Sequence, residues 1–254
     1  MATDQVGFAV KTVRPVKAKA PAFSRFLNKY FYFCMSLLVA AVVVYGFSHT
    51  VDHSLIHATP PRPWILWVHA TVFSGWVVFF IFQSALVRTG NVKLHRLTGW
   101  FGAGLGVVIP VLGISTAILM HRFFTIHFGA RGAAGNPFLS IQAMDITCFT
   151  IAFWLAVYWR RKPEFHRRLV LVATCALTAA AFARFPFLSV QWAYVGVDSL
   201  ICLGIVRDLI VNRRIHIVYR YALPAMIVVQ IVAVNLWLHH PAWWVKLANR
   251  LIMG

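Results

Sequence analysis

WILWVHATVFSGWVVFFIFQSALV, residues 64–87, decides the fold. These 24 residues contain no Asp, Glu, Lys or Arg, and their one ionisable group is His69. A helix needs about 20 apolar residues to cross a bilayer, so the run is long enough with a turn to spare. It lacks the period-two alternation of a barrel strand. A helix is then the remaining way to satisfy its backbone in lipid.

Six further runs read the same way: 30–48, 97–120, 138–159, 169–187, 188–206 and 221–238. The fifth in chain order, 169–187, is the weakest, because Arg184 and Pro186 crowd its end. The chain is 60% hydrophobic and 12% charged, whereas a soluble domain is about a quarter charged. The expected fold is therefore all-α: an integral membrane bundle of about seven transmembrane helices. A basic arm (1–28) precedes the bundle (29–240), and an interfacial tail (241–254) follows it. The arm has no apolar core ahead of its Ala-Lys-Ala stretch, so the first helix reads as an uncleaved anchor.

Net charge is +18. That value alone would suggest nucleic acid, but its distribution points elsewhere. Segments 1–29, 88–96, 160–168 and 207–220 hold 18 of the 24 Lys and Arg. Basic residues gather on cytoplasmic loops, so the pattern predicts N-in, C-out topology and no nucleic-acid partner. The same face would attract anionic lipid headgroups, with Arg96, Arg167, Arg168 and His216 as the contacts. The expected location is a bacterial inner membrane, with a mitochondrial inner membrane as the alternative.

After the first helix, the chain reads as three two-helix hairpins. Each turns through a basic loop with His beside or near Arg, at His95, His166 and His216, and each outgoing helix carries one ionisable residue: His69, Asp145 or Asp198. Such groups are costly in lipid, about 2.5–3.5 kcal/mol for Asp at a helix centre, and usually mark interior or functional positions. Gly102 and Gly106 allow close helix approach. Pro110 and Pro224 predict kinks. Cys34, Cys148, Cys175 and Cys202 fall in different helices and read as small buried hydrophobes. Glu164 and Asp208 read as charge partners of the arginines around them.

Several chemistries fit the outer half. His69, His121, Asp145 and Asp198 are of the right type to ligate a divalent metal, although no dense ligand motif is present. Asp145 and Asp198, with Arg184 and Tyr194, would suit a proton or substrate relay. The same groups would also serve as interhelical ties. Haem b needs axial His and an apolar slot. His69 with His121 would supply one pair, and His95 with His166 a second near the cytoplasmic face. Cytochromes of the b561 type also carry ligands in two layers, although here the fourth helix has Asp145 and no His. The neighbouring arginines would suit haem propionates, quinone or lipid phosphate. No GxSxG, P-loop or Cys-nucleophile motif is present.

Trp67-Val68-His69-Ala70, Leu94-His95-Arg96-Leu97-Thr98-Gly99-Trp100 and Phe165-His166-Arg167-Arg168-Leu169 resemble elements of a group of uncharacterised bacterial multipass membrane proteins. The LHRLTGW element is more distantly similar to small His-bearing membrane proteins linked to haem-copper oxidase assembly. That resemblance implies a respiratory-membrane role with haem or copper nearby. The leading expectation is a protein that binds a redox cofactor or small ligand in its outer half, associated with respiratory complexes, more than a stand-alone enzyme. A proton-coupled transporter and a non-catalytic subunit packed on a membrane-protein partner are the alternatives.

Overall fold

The computed structural model describes residues 21–254. The described regular structure is entirely helical. Its helices are α1 (Ala22–Ser48), α2 (Trp64–Arg88), α3 (Val92–Ala133), α4 (Leu139–Tyr158), α5 (Pro163–Ala176), α6 (Ala179–Phe182), α7 (Ala193–Asn212), α8 (Ile217–His239) and α9 (Ala242–Met253). Residues 1–20 of the expected arm lie outside the described residues. The rest of that arm belongs to α1, which starts before its apolar run.

Among the described residues, six helical segments are long and apolar enough to cross a membrane. α7 is not among them. It is 20 residues long but carries Asp198, Arg207 and Asp208. The fifth and sixth expected runs also shift. The fifth is α5 followed by the short α6, and the chain then leaves helix until a single turn at Val190–Trp192. The α5–α6 segment is the hub of the bundle. Two-thirds (67%) of its most apolar window is buried in protein, against 11–28% in the other five. Its small residues Ala173, Cys175, Ala176, Ala179 and Ala181 are 0–3% exposed, so neighbouring helices can close on it.

Close approach sets the other contacts. A Cβ at Gly46 of α1 would lie 2.3 Å from the Ala181 carbonyl oxygen of α6. One at Gly106 of α3 would strike the Phe153 ring of α4 at 1.9 Å. The glycine stripe therefore admits an aromatic ring from the next helix. α3 runs through Pro110 and departs from helical angles only at Gly129 (φ 57°, ψ −132°). α8 likewise runs through Pro224. The tail forms the expected helix, α9. Asn136 donates to Asn249 at 2.8 Å and Trp244 Nε1 to the Pro137 carbonyl at 3.0 Å, which docks α9 on the far end of the bundle.

The basic end is closed by a buried ion cluster. Arg168 of α5 and Asp208 of α7 are both 0% exposed, and Arg207 is 1% exposed. Arg168 Nε and Nη2 donate to the two Asp208 oxygens at 2.8 and 2.5 Å. Arg168 Nη1 reaches Glu164, and Arg207 bonds Asp208 and Asn28 of α1. Arg168 is therefore not a headgroup contact. Asp208 turns it inward, because a charge buried among helices must be paired. His216 is also committed to the fold. Its Nδ1 accepts from the Val218 backbone at 3.2 Å and caps α8. Burial, and then nearby Arg168, hold its pKa below the ordinary imidazole value of 6.5. Arg167 is half-buried and bonded to Glu164, and Arg96 is exposed.

Candidate functional site

The far end of the bundle, away from the clustered arginines, holds most of the groups that the sequence singled out. They are mainly paired with one another. Tyr194 donates to Asp145 at 2.8 Å, tying α7 to α4. Gln230 donates to Asp198 at 3.0 Å, tying α8 to α7. His121 Nε2 and Gln142 Oε1 are 2.9 Å apart, tying α3 to α4.

His69 stacks on Phe73 with ring centroids 4.0 Å apart, and its Nδ1 is buried without a partner. His69 and His121 share no hydrogen bond or ring contact among the described residues. The metal set His69, His121, Asp145 and Asp198 is not assembled either. No three His, Cys, Asp or Glu side chains among the described residues group as metal ligands. The reason is local: three of the four are already tied to a neighbouring helix. Arg184 reaches neither Asp. Its Nε donates to Thr50 at 3.1 Å, and its guanidinium lies over Phe47. The four cysteines are free thiols.

The basic end is built differently. A cavity of about 890 Å³ opens between α1, α2, α3, α4 and α5. Its floor is aromatic: Trp76, Phe79, Phe80 and Phe153. The rings of Trp76 and Phe153 contact each other and Phe149 with centroids 5.4–5.5 Å apart. Its rim is cationic, with Lys29, Arg88, Arg96, Arg160, Arg161 and Arg167. Its volume falls within the range of small-molecule sites, about 300–1,000 Å³.

His95 and His166 both line this cavity, with ring centroids 6.2 Å apart and ring planes at 76°. One opens α3 and the other opens α5, two hairpins brought side by side by the bundle. His166 Nδ1 is 2.9 Å from the Ala156 carbonyl. A carbonyl can only accept, so Nδ1 carries the proton and Nε2 of the neutral ring has its lone pair free. The Ala156 carbonyl thereby fixes the tautomer and orientation of the ring. His95 Nδ1 is buried near the Gln83 backbone without a hydrogen bond of good geometry.

The cavity wall also carries unpaired polar atoms. Tyr32 Oη, Trp76 Nε1, Gln83 Oε1, Arg88 Nε, His95 Nδ1 and Arg167 Nε are all buried without partners. These make up six of the eleven such atoms among the described residues. Each unmet buried group costs about 1–3 kcal/mol, so a cluster of them around one space marks a place where a ligand or water completes the bonding. Gly99 of α3 contributes room. A Cβ built there has nothing within 4 Å.

The sequence named His95 and His166 but ranked them below the outer pair. It missed Trp76, Gln83 and Arg88. The available signal was the position of Gln83, a polar amide seven positions past Trp76 in a largely apolar helix. No family model, curated protein or solved structure matches the chain.

Proposed function

We propose that this protein binds haem b in the cavity at its basic end, where His95 and His166 would hold its iron, and serves as a one-electron carrier in a membrane redox complex. The observation that carries this reading is the His95–His166 pair, 6.2 Å apart in an apolar cavity with one ring anchored through Nδ1. An aromatic floor and a cationic rim match a ligand with a flat apolar body and acidic edges. Bound haem supplies reversible one-electron chemistry. The chain orients the two imidazoles, excludes water at the floor and offers positive charge at the rim.

The basic end faces the cytoplasm of a bacterial inner membrane, where exposed Arg96, Arg213 and Arg214 meet anionic headgroups. Asp145, Asp198 and His121 act as interhelical ties, and a membrane partner docks on the lipid-exposed helices.

The test is the visible spectrum of detergent-purified protein from haem-competent cells, oxidised and then dithionite-reduced. A Soret band with sharp reduced α and β peaks supports haem b. A flat spectrum at high protein concentration rejects it.

A further inference from the structure

The six cations on the cavity rim are of two kinds. Lys29, Arg96, Arg160 and Arg161 are exposed to solvent. Arg88 and Arg167 are half-buried, and each is laid against a tyrosine of α1. The Arg88 guanidinium sits 3.7 Å from the Tyr30 ring centroid, and that of Arg167 sits 5.2 Å from the Tyr32 centroid. Stacking on an aromatic face fixes the plane of a guanidinium and leaves its edge free. In both residues the free edge includes a buried Nε with no acceptor. Arg167 spends Nη2 on Glu164 at 2.6 Å, while Arg88 makes no hydrogen bond or ion pair among the described residues.

A buried N–H that is both charged and unmet is the costliest kind of orphan. An acid oxygen would satisfy this Nε in both residues, and at Arg88, whose Nη2 is also unspent, the contact could be bidentate. None of the residues lining the cavity is Asp or Glu, so an acidic acceptor at this place would come with a ligand.

We propose that Arg88 and Arg167 each grip an acidic group, carboxylate or phosphate, of the amphiphile in this cavity, with Tyr30 and Tyr32 presetting the two guanidinium planes. The inference rests on the cavity being the ligand site and deepens the haem reading, in which the two acids are the haem carboxylates. The same chemistry would hold the phosphate of a lipid headgroup.

The experiment separates the two sources. Full-length wild type, Arg88→Gln and Arg167→Gln are placed in nanodiscs of zwitterionic lipid and titrated with haemin and with haemin dimethyl ester, which lacks the acids. Wild type binds haemin at least about tenfold more tightly than the ester, on the order of one charge-assisted hydrogen bond. Each variant weakens haemin by about tenfold and leaves the ester and the Soret line shape unchanged. Equal binding of the two pigments by wild type, or equal weakening of both in the variants, overturns the grip. A merely structural role would move the ester as well. If neither pigment binds wild type, the haem reading fails, and retention of phosphatidic acid through purification becomes the readout. Loss of that lipid in both variants supports the grip with phosphate as its ligand. Equal retention in all three proteins overturns it.

Discussion

At the far end of the bundle, Asp145 meets Tyr194, Asp198 meets Gln230, and His121 meets Gln142, each pair across two helices. At the basic end, His95, Gln83, Trp76, Tyr32, Arg88 and Arg167 surround a cavity and leave six polar atoms unmet. Both ends place ionisable groups in an apolar protein, and both were built from the same kind of helix. Paired groups spend their bonding capacity on holding helices together. Groups held apart around a void keep that capacity for something else. Within the basic end the contrast repeats: Arg168 is consumed by Asp208, while Arg167, its neighbour in sequence, retains a free edge. Intramembrane polarity is therefore a poor guide to function unless it is known which groups are already bonded.

The largest effect should come from the paired class at the basic end. Arg168→Met leaves Asp208 buried without its main partner, which costs about 3–5 kcal/mol in a buried pair. Its melting temperature in detergent should collapse. A single variant that melts like wild type would mean that the cluster does not hold α5 to α7.

The unpaired class predicts the opposite pattern. Gly99→Leu places a side chain in open cavity space, so bound ligand should fall by about tenfold or more. The ligand-free protein should melt at or slightly above wild type, since Leu is the better helix former by up to about 1 kcal/mol. Ligand retained at full occupancy would move the site out of this cavity.

Smaller effects belong to the far-end ties. Tyr194→Phe or Gln230→Leu removes one interhelical hydrogen bond, worth on average about 0.6 kcal/mol in membrane proteins. Melting should drop by that order with ligand content unchanged. Loss of ligand in step with loss of either tie would erase the distinction between the two ends.

The smallest effect is a pH dependence at His216. Its folded pKa lies below 6.5 because of burial and Arg168, and its Nδ1 must be unprotonated to accept from Val218. The cap is therefore fully present above about pH 6.5 and is lost progressively as pH falls below that value. His216→Ala should lower the melting temperature above about pH 6.5, where the cap is present, and flatten the profile below that value.

Much of the helical frame was legible because apolar length is a local property. Residues 64–87 became Trp64–Arg88, and residues 221–238 lie within Ile217–His239. The stretch from α5 to α7 was not. Its apolar runs abut at Leu188 with only Arg184 and Pro186 to mark the break, and Ala179–Phe182 packs against α1 and α7, which no local pattern announces. Arg168 was misread for a related reason. An arginine at a helix start looks the same in sequence whether it faces headgroups or a carboxylate 40 residues away. His95 and His166 were named, but 71 positions separate them. Only the folded bundle sets their rings side by side.

The most direct measurement is the Soret absorbance per mole of protein for four single variants prepared alike: His95→Ala, His166→Ala, His69→Ala and His121→Ala. The account predicts that the first two lose the reduced α-band and most of the haem, while the last two keep both. Haem lost from His69→Ala or His121→Ala, and retained in His95→Ala and His166→Ala, would contradict it and return the site to the far end.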